Sequence, residues 1–245
     1  MSTPGSAGVP AGIGIGSKAD GDVGAPGAPD SPRSWYSRGY LPHRDEPHFL
    51  QSITYRLADS LPLEKLRELE DELRTLPEDH RDSTKRQKIE RWLDAGMGCC
   101  ALRHPEVARY VQNAFLHFHG ERYRLHAWCI MPNHVHVLIE PLADLSSIVQ
   151  GWKSFTSRWI LQNGAALGLQ LPQDGRFWMR EYWDRYIRNE SHYRKTVDYI
   201  HQNPVSAGLC ASPNAWPWSS APGSAGVPAG INSKADEDVG APTLP

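Results

Sequence analysis

Nowhere in these 245 residues does an apolar run approach the roughly 18–20 residues a helix needs to cross a bilayer. The opening MSTPGSAGVPAG has neither a basic n-region nor an apolar h-region, so it does not read as a secretory signal. Cysteine is scarce: Cys99, Cys100, Cys129 and Cys210 form no CxxC pair and no zinc-ligand spacing. These absences argue against membrane, disulfide-stapled secreted and zinc-finger classes. The expectation that remains is a reduced, cytoplasmic protein. Charge of one sign is lacking too, because 26 Lys and Arg stand against 28 Asp and Glu, with 11 His beside them.

Aromatic residues are missing from both ends. None occurs before Trp35 or after Trp218, although 23 lie between. Residues 1–30 hold eight Gly and residues 221–245 hold four. Such stretches bury too little apolar surface to offset the entropy of ordering. They predict disordered tails at 1–33 and 221–245 around a folded domain at 34–220. The tails are near copies: PGSAGVPAGIGIGSKADGDVGAP from Pro4 and PGSAGVPAGINSKADEDVGAP from Pro222. Copies at opposite ends cannot stack as solenoid repeats do. They read as solubilising tails, or as a repeated DNA element translated on both sides of the coding region. The second reading requires the nucleotide repeat to run past the reading frame, which sequencing the locus tests. Without the two basic and six acidic residues of the ends, residues 31–220 carry 24 basic and 22 acidic residues and every His. That balance is too mild to name nucleic acid as a partner, so the distribution of charge matters more than its sum.

Within the domain, FLQSITYRL (49–57) alternates as a strand does. Leucines at 63, 66, 69, 73 and 76 form a helical stripe with Pro62 near its start. A basic helix is expected from about Thr84 to Asp94, with Gly96 beyond its end. Pro105 opens a helix carrying Val107, Val111, Ala114, Phe115 and Phe118, closed by Gly120. RYRLHAWCIM, Pro132-Asn133 and HVHVLIEP read as strand, turn and strand. Ile148, Trp152, Phe155 and Trp159 mark a further helix ended by Asn163-Gly164. A last helix is expected from Ser191, as its N-cap, to Asn203-Pro204, because proline cannot continue a helix. The pattern predicts an α+β domain with helices covering an antiparallel sheet.

Side chains alternate across a strand, so His134 and His136 share one face while Val135, Val137 and Ile139 point to the other. Two imidazoles so placed can hold one divalent metal, or stand as two half-exposed histidines. On the last helix, Tyr193, Val197 and Ile200 form a buried stripe, and Tyr199 and Asn203 lie one turn apart on its flank. That flank presents a hydroxyl and an amide oxygen, as metal-assisted phosphoryl transfer to tyrosine would need. A free phenol has a pKa of about 10 and needs help to attack. Tyr199 also fits an ordinary half-buried tyrosine. In residues 176–195, Phe177, Trp178, Tyr182, Trp183, Tyr186 and Tyr193 interleave with Arg176, Arg180, Arg185, Arg188, Arg194 and Lys195. Single-strand binders stack aromatics on bases and set arginines on phosphates in this way. An amphipathic core segment with a solvated face is the other reading, since Glu181, Asp184 and Glu190 temper the charge.

RGYLPH, ITYRLADSLP, MPNHVHVLIEP, WKSFTSRWI, FWMREYWDRYIRNESHYRKTVDYIHQNPVSAGL and WPWSS occur in that order. Together they resemble the REP-associated tyrosine transposases, within the HUH single-tyrosine transposase superfamily, over Trp35 to Ser220. The resemblance implies a ferredoxin-like antiparallel sheet with helices packed on it. It implies cleavage and rejoining of single-stranded DNA near a REP-like hairpin, with Mg²⁺ or Mn²⁺ as cofactor. His134 and His136 would be the metal pair, Asn203 a third ligand and Tyr199 the nucleophile. Attack would leave a 5′-phosphotyrosine and a free 3′-OH, a bond that keeps the energy of the phosphodiester, so that rejoining needs no ATP. Tyr193 belongs to the buried stripe and Tyr186 lacks a polar partner one turn later. Lys153 and Arg158 of WKSFTSRWI join Arg176, Arg180, Arg185, Arg188, Arg194 and Lys195 as expected DNA contacts. No membrane partner and no nucleotide cofactor are expected, and monomer and homodimer both suit the superfamily. Two rivals remain: a regulator that binds hairpin DNA without cutting, and a nuclease whose nucleophile is metal-bound water.

Overall fold

The alternating stretch near the start of the domain forms the strand on which the rest assembles. In the computed structural model, residues 49–172 and 174–225 are described, together with two paired two-residue strands, β1 (Tyr36–Ser37) and β2 (Pro42–His43). Strand β3 (Gln51–Arg56) follows, with Ile53 and Tyr55 fully buried. The remaining elements are α1 (Leu63–Thr75), α2 (Glu78–Asp94), α3 (Pro105–His117), β4 (Tyr123–Ile130), β5 (His134–Pro141), α4 (Leu145–Asn163), β6 (Trp183–Tyr186) and α5 (Glu190–Ser206). Two short 3-10 turns lie at Ala101–Arg103 and Pro213–Ala215. Among the described residues no helix is long and apolar enough to cross a membrane.

The four-stranded sheet has the order β4-β5-β3-β6 with every pairing antiparallel. With helices between β3 and β4 and between β5 and β6, this is the ferredoxin-like topology expected. One face carries Ile53, Tyr55, Val135, Val137 and Ile139 against Val107, Val111 and Phe115 of α3 and Ile148, Trp152 and Ile160 of α4. The other face carries Ala127, Cys129 and Leu138 against Ile200 of α5. The register of β4 shifts between Leu125 and Ala127, a bulge at His126. The bulge changes the phase of the alternation, so Leu125 and Trp128 face one layer while Ala127 and Cys129 face the other. The α1–α2 hairpin closes a third cluster, Leu61, Leu69, Leu73, Ile89 and Leu93, which packs on Trp183 at the β6 edge.

Three local expectations are corrected. Helix α2 begins at Glu78 rather than Thr84, because Pro77 stands before it with a φ of −54° and Glu78 and Asp79 suit a helix N-terminus. The N-cap of α5 is Asn189, whose side chain accepts the His192 N–H at 2.9 Å; it is not Ser191. Pro204 lies inside α5, which runs on to Ser206. So near the end a missing N–H costs one bond. The helix is closed beyond it by Leu209 N–H to the Pro204 carbonyl (2.8 Å) and Gly208 N–H to the Val205 carbonyl (2.9 Å). Gly208 adopts the φ of +69° that this closure requires. Strand β6 has no clear signal in the sequence. It is a four-residue edge strand in a stretch where aromatic and charged residues do not alternate cleanly.

The N-terminal tail, 1–33, and residues 226–245 of the second tail lie outside the described residues. At 221–225 the chain is still packed: Ala221 is fully buried and the Ser224 hydroxyl donates to the Trp216 carbonyl at 2.7 Å.

Candidate active site

Pairing across the sheet sets a row of side chains on the α5 side. Cys129 pairs with His136, His136 with Thr54, and Thr54 with Trp183. His134 lies one strand step along the same face, and both imidazoles are nearly fully buried. Helix α5 crosses this face and brings Asn203 down onto His136, with Nδ2 3.0 Å from Nε2.

The hydrogen bonds fix the ring proton of His134. Asn133 Nδ2 donates to the Met97 carbonyl at 2.9 Å, so the other amide atom is the oxygen. That oxygen lies 2.8 Å from His134 Nδ1, which must therefore carry the proton. His134 Nε2 is left with a lone pair. His136 Nδ1 meets the Thr54 hydroxyl at 2.9 Å, and its Nε2 accepts from Asn203. The two Nε2 atoms lie 3.0 Å apart, and both turn toward the same point below α5. Burial holds both rings below the ordinary imidazole pKa, His136 at about 3, so both imidazoles are neutral at neutral pH. The Asn203 side-chain oxygen is buried with no partner. Two ring nitrogens 3.0 Å apart and an orphaned oxygen are what a divalent cation would satisfy, and His134, His136 and Asn203 could hold one.

One turn before Asn203, Tyr199 sets its ring edge-on to His136, with centroids 5.3 Å apart at 80°. Burial raises its phenol above the ordinary value, and the Glu90 and Asp94 carboxyls raise it further, while the Asn203 side chain lowers it. Glu90 and Asp94 belong to α2, whose sequence carries no signal that links it to the site. Asp94 Oδ1 is 3.9 Å from His134 Nε2, and burial lifts the Asp94 carboxyl to about 6. Thr54 and Asn133, which orient the two imidazoles, were missed as well. No periodicity marks such residues, since each acts through a partner distant in sequence or through a turn.

A cleft of about 860 Å³ opens beside Tyr199 between α2, the β3–β6 edge and α5. Its walls include Ile89 and Trp183, the cations Arg86, Arg185 and Lys195, and the carboxylates Asp79, Asp82, Glu90 and Asp184. Burial first, then Arg86 and Arg188, lower the pKa of Arg185 while Glu90 raises it, so cations and carboxylates are interleaved here. Of the expected DNA contacts, Arg185 and Lys195 line the cleft, and Arg188 stacks over Tyr186 at 5.6 Å. Arg194 pairs with Glu190 and Arg176 with Asp174. Arg158 and Arg180 are exposed and do not line the cleft. Lys153 is placed otherwise. It is 8% exposed, and its ammonium donates to the carbonyls of Met179 (3.0 Å), Arg180 (3.0 Å) and Glu181 (3.4 Å). It secures a loop rather than offering a charge to solvent, and burial lowers its pKa to about 8. Phe177, Trp178 and Tyr182 are likewise core residues, so their rings are not free to stack on bases.

Residues 105–203, which contain His134, His136, Tyr199 and Asn203, match the family model described as "Transposase IS200 like". The chain is 32% identical over 100 residues to the REP-associated tyrosine transposase of Escherichia coli (strain K12), covering 40% of this chain and 53% of that protein. The chain thus spans about half the length of this curated relative. A solved structure of a REP-associated tyrosine transposase bound to a REP hairpin aligns with 76% of this chain and 81% of its own, at 20% identity and a TM-score of 0.43.

Proposed function

We infer, from a core that carries an IS200-like transposase segment and resembles the REP-associated tyrosine transposases, that this protein cuts and rejoins single-stranded DNA at a hairpin through Tyr199. One observation carries the reading: facing His134 and His136 nitrogens 3.0 Å apart, an unpartnered Asn203 oxygen, and a tyrosine one helical turn before it. His134, His136 and Asn203 would hold Mg²⁺ or Mn²⁺. Such an ion supplies charge for the phosphate oxygens as negative charge builds in the transition state.

The chain's own residues do the rest. Thr54 and Asn133 hold the imidazoles so that both Nε2 atoms point inward. Tyr199 offers its phenol oxygen on the same side. Attack joins that oxygen to phosphorus and expels the 3′ oxygen, which leaves a 5′-phosphotyrosine and a free 3′-OH. Arg86, Arg185 and Lys195 suit the phosphates of a strand lying in the cleft. Burial and the two α2 carboxyls leave the phenol well protonated in the chain alone, which makes the activity dependent on added metal.

The test is incubation of the full chain with Mn²⁺ and a labelled single-stranded hairpin from its own flanking DNA, followed by a denaturing gel. A slow, protease-sensitive adduct that vanishes in Tyr199→Phe is expected. Cleavage without an adduct would make water the nucleophile. Binding without cleavage across metals and hairpins would make the protein a hairpin-binding regulator.

A further inference from the structure

We propose that Asp94, in the last turn of α2, is a further oxygen donor to the cation held by His134, His136 and Asn203, so that α2 closes the site opposite α5. This rests on the metal reading above. Asp94 Oδ1 lies 3.9 Å from His134 Nε2, the nitrogen whose lone pair faces into the site. Adjacent ligands of one octahedral ion with bonds of about 2.1 Å sit about 3 Å apart. The two imidazole nitrogens show that spacing, whereas Asp94 Oδ1 stands about 1 Å beyond it from His134 Nε2. Among the described residues no three His, Cys, Asp or Glu side chains are already drawn together around an ion, so the Asp94 side chain must swing inward to join them.

The environment of Asp94 is hard to account for otherwise. Its side chain is only one-third exposed and sits at the C-terminal end of a 17-residue helix, where the helix dipole repels negative charge. Among the described residues it makes no ion pair with any Lys or Arg, although α2 carries Lys85, Arg86, Lys88 and Arg91. Independently, Asn203, 3% exposed, leaves its own oxygen without a partner at the same place.

The placement is also tightly held. Asn133, which orients His134, donates its amide to the Met97 carbonyl just past α2. Cys99 N–H donates to Asp59 Oδ2 at 2.7 Å. Between them Gly98 has a φ of +85°, and a Cβ there would stand 2.7 Å from the Asp59 carbonyl oxygen. One asparagine thus sets both an imidazole and the end of the helix that carries the carboxylate.

Mn²⁺ binding to the metal-free full chain, followed by calorimetry and by the EPR signal of free Mn²⁺, tests this without DNA. Asp94→Asn is expected to weaken Mn²⁺ binding by about 10-fold or more, with Asp94→Glu recovering part of the loss and Asp198→Asn unchanged. Metal-free Asp94→Asn is expected to melt no lower than the parent, and to gain less from Mn²⁺. Should Asp94→Asn not fold, Asp94→Ser carries the same comparison. Parent-like Mn²⁺ affinity in the Asp94 variants, with binding lost in His136→Ala, overturns the role of Asp94 and leaves the metal reading standing. Mn²⁺ binding that survives His134→Ala and His136→Ala overturns both.

Discussion

Asn133 joins two parts of the site through one amide. Its removal strands the His134 Nδ1–H and the Met97 carbonyl together, and the residue is fully buried. Asn133→Ala is therefore expected to cost about 2–3 kcal/mol in urea unfolding. A second residue-scale effect comes from His126 at the β4 bulge, held down to about 4 by burial. Because its folded pKa lies below the unfolded one, the unfolded chain takes up the proton first as the pH falls. Stability is complete above about pH 6.5 and declines toward pH 4, by up to about 3 kcal/mol from this group. His126→Gln should reduce that decline in urea midpoints measured from pH 7 to 4. His134 and His136, shifted the same way, preserve part of it. Lys153→Met is expected to lose about 2 kcal/mol of stability, since three carbonyls lose a charged donor. DNA affinity should not change its salt dependence in that variant.

At the scale of elements, α2 and α5 face each other across the cleft, and their cations are sorted by position rather than by number. Arg185→Ala and Lys195→Ala should each weaken single-stranded DNA binding and reduce the salt slope by about 1. Arg158→Ala and Arg176→Ala, away from the cleft, should not. A filter-binding series between low and moderate salt distinguishes the pairs. The end of α5 depends on Gly208, whose φ of +69° suits no other residue as well. Gly208→Ala should cost about 1 kcal/mol without altering the position of Tyr199, about two turns before the end of α5.

For the whole molecule, the ferredoxin-like order sends α3 and α4 to one face and leaves the other to α5 and the α1–α2 hairpin. The site lies on that second face because the β5 histidines point there. The packed region includes Ala221 and Ser224, beyond the aromatic WPWSS stretch. Ending the chain after Ser220 should therefore lower the melting temperature relative to ending it after Ala225. A thermal melt of the two truncations checks this.

The sequence by itself determined what depends on local period and on ordered motifs. Alternation put His134 and His136 on one face, and a separation of four put Asn203 one turn from Tyr199. Helical spacing and turn residues located most elements. The local signals were weakest where two tendencies compete, as at Pro204 inside α5 and in the aromatic-charged stretch that became β6. Only the tertiary structure decided which distant groups meet. Glu90 and Asp94 looked like charges on a basic helix until α2 docked against the sheet. Lys153 looked like a phosphate ligand until three carbonyls closed on it, and Phe177, Trp178 and Tyr182 looked like stacking platforms until the core enclosed them. A residue's face follows from its neighbours in sequence, but its partner follows from packing and sheet register between segments far apart in the chain.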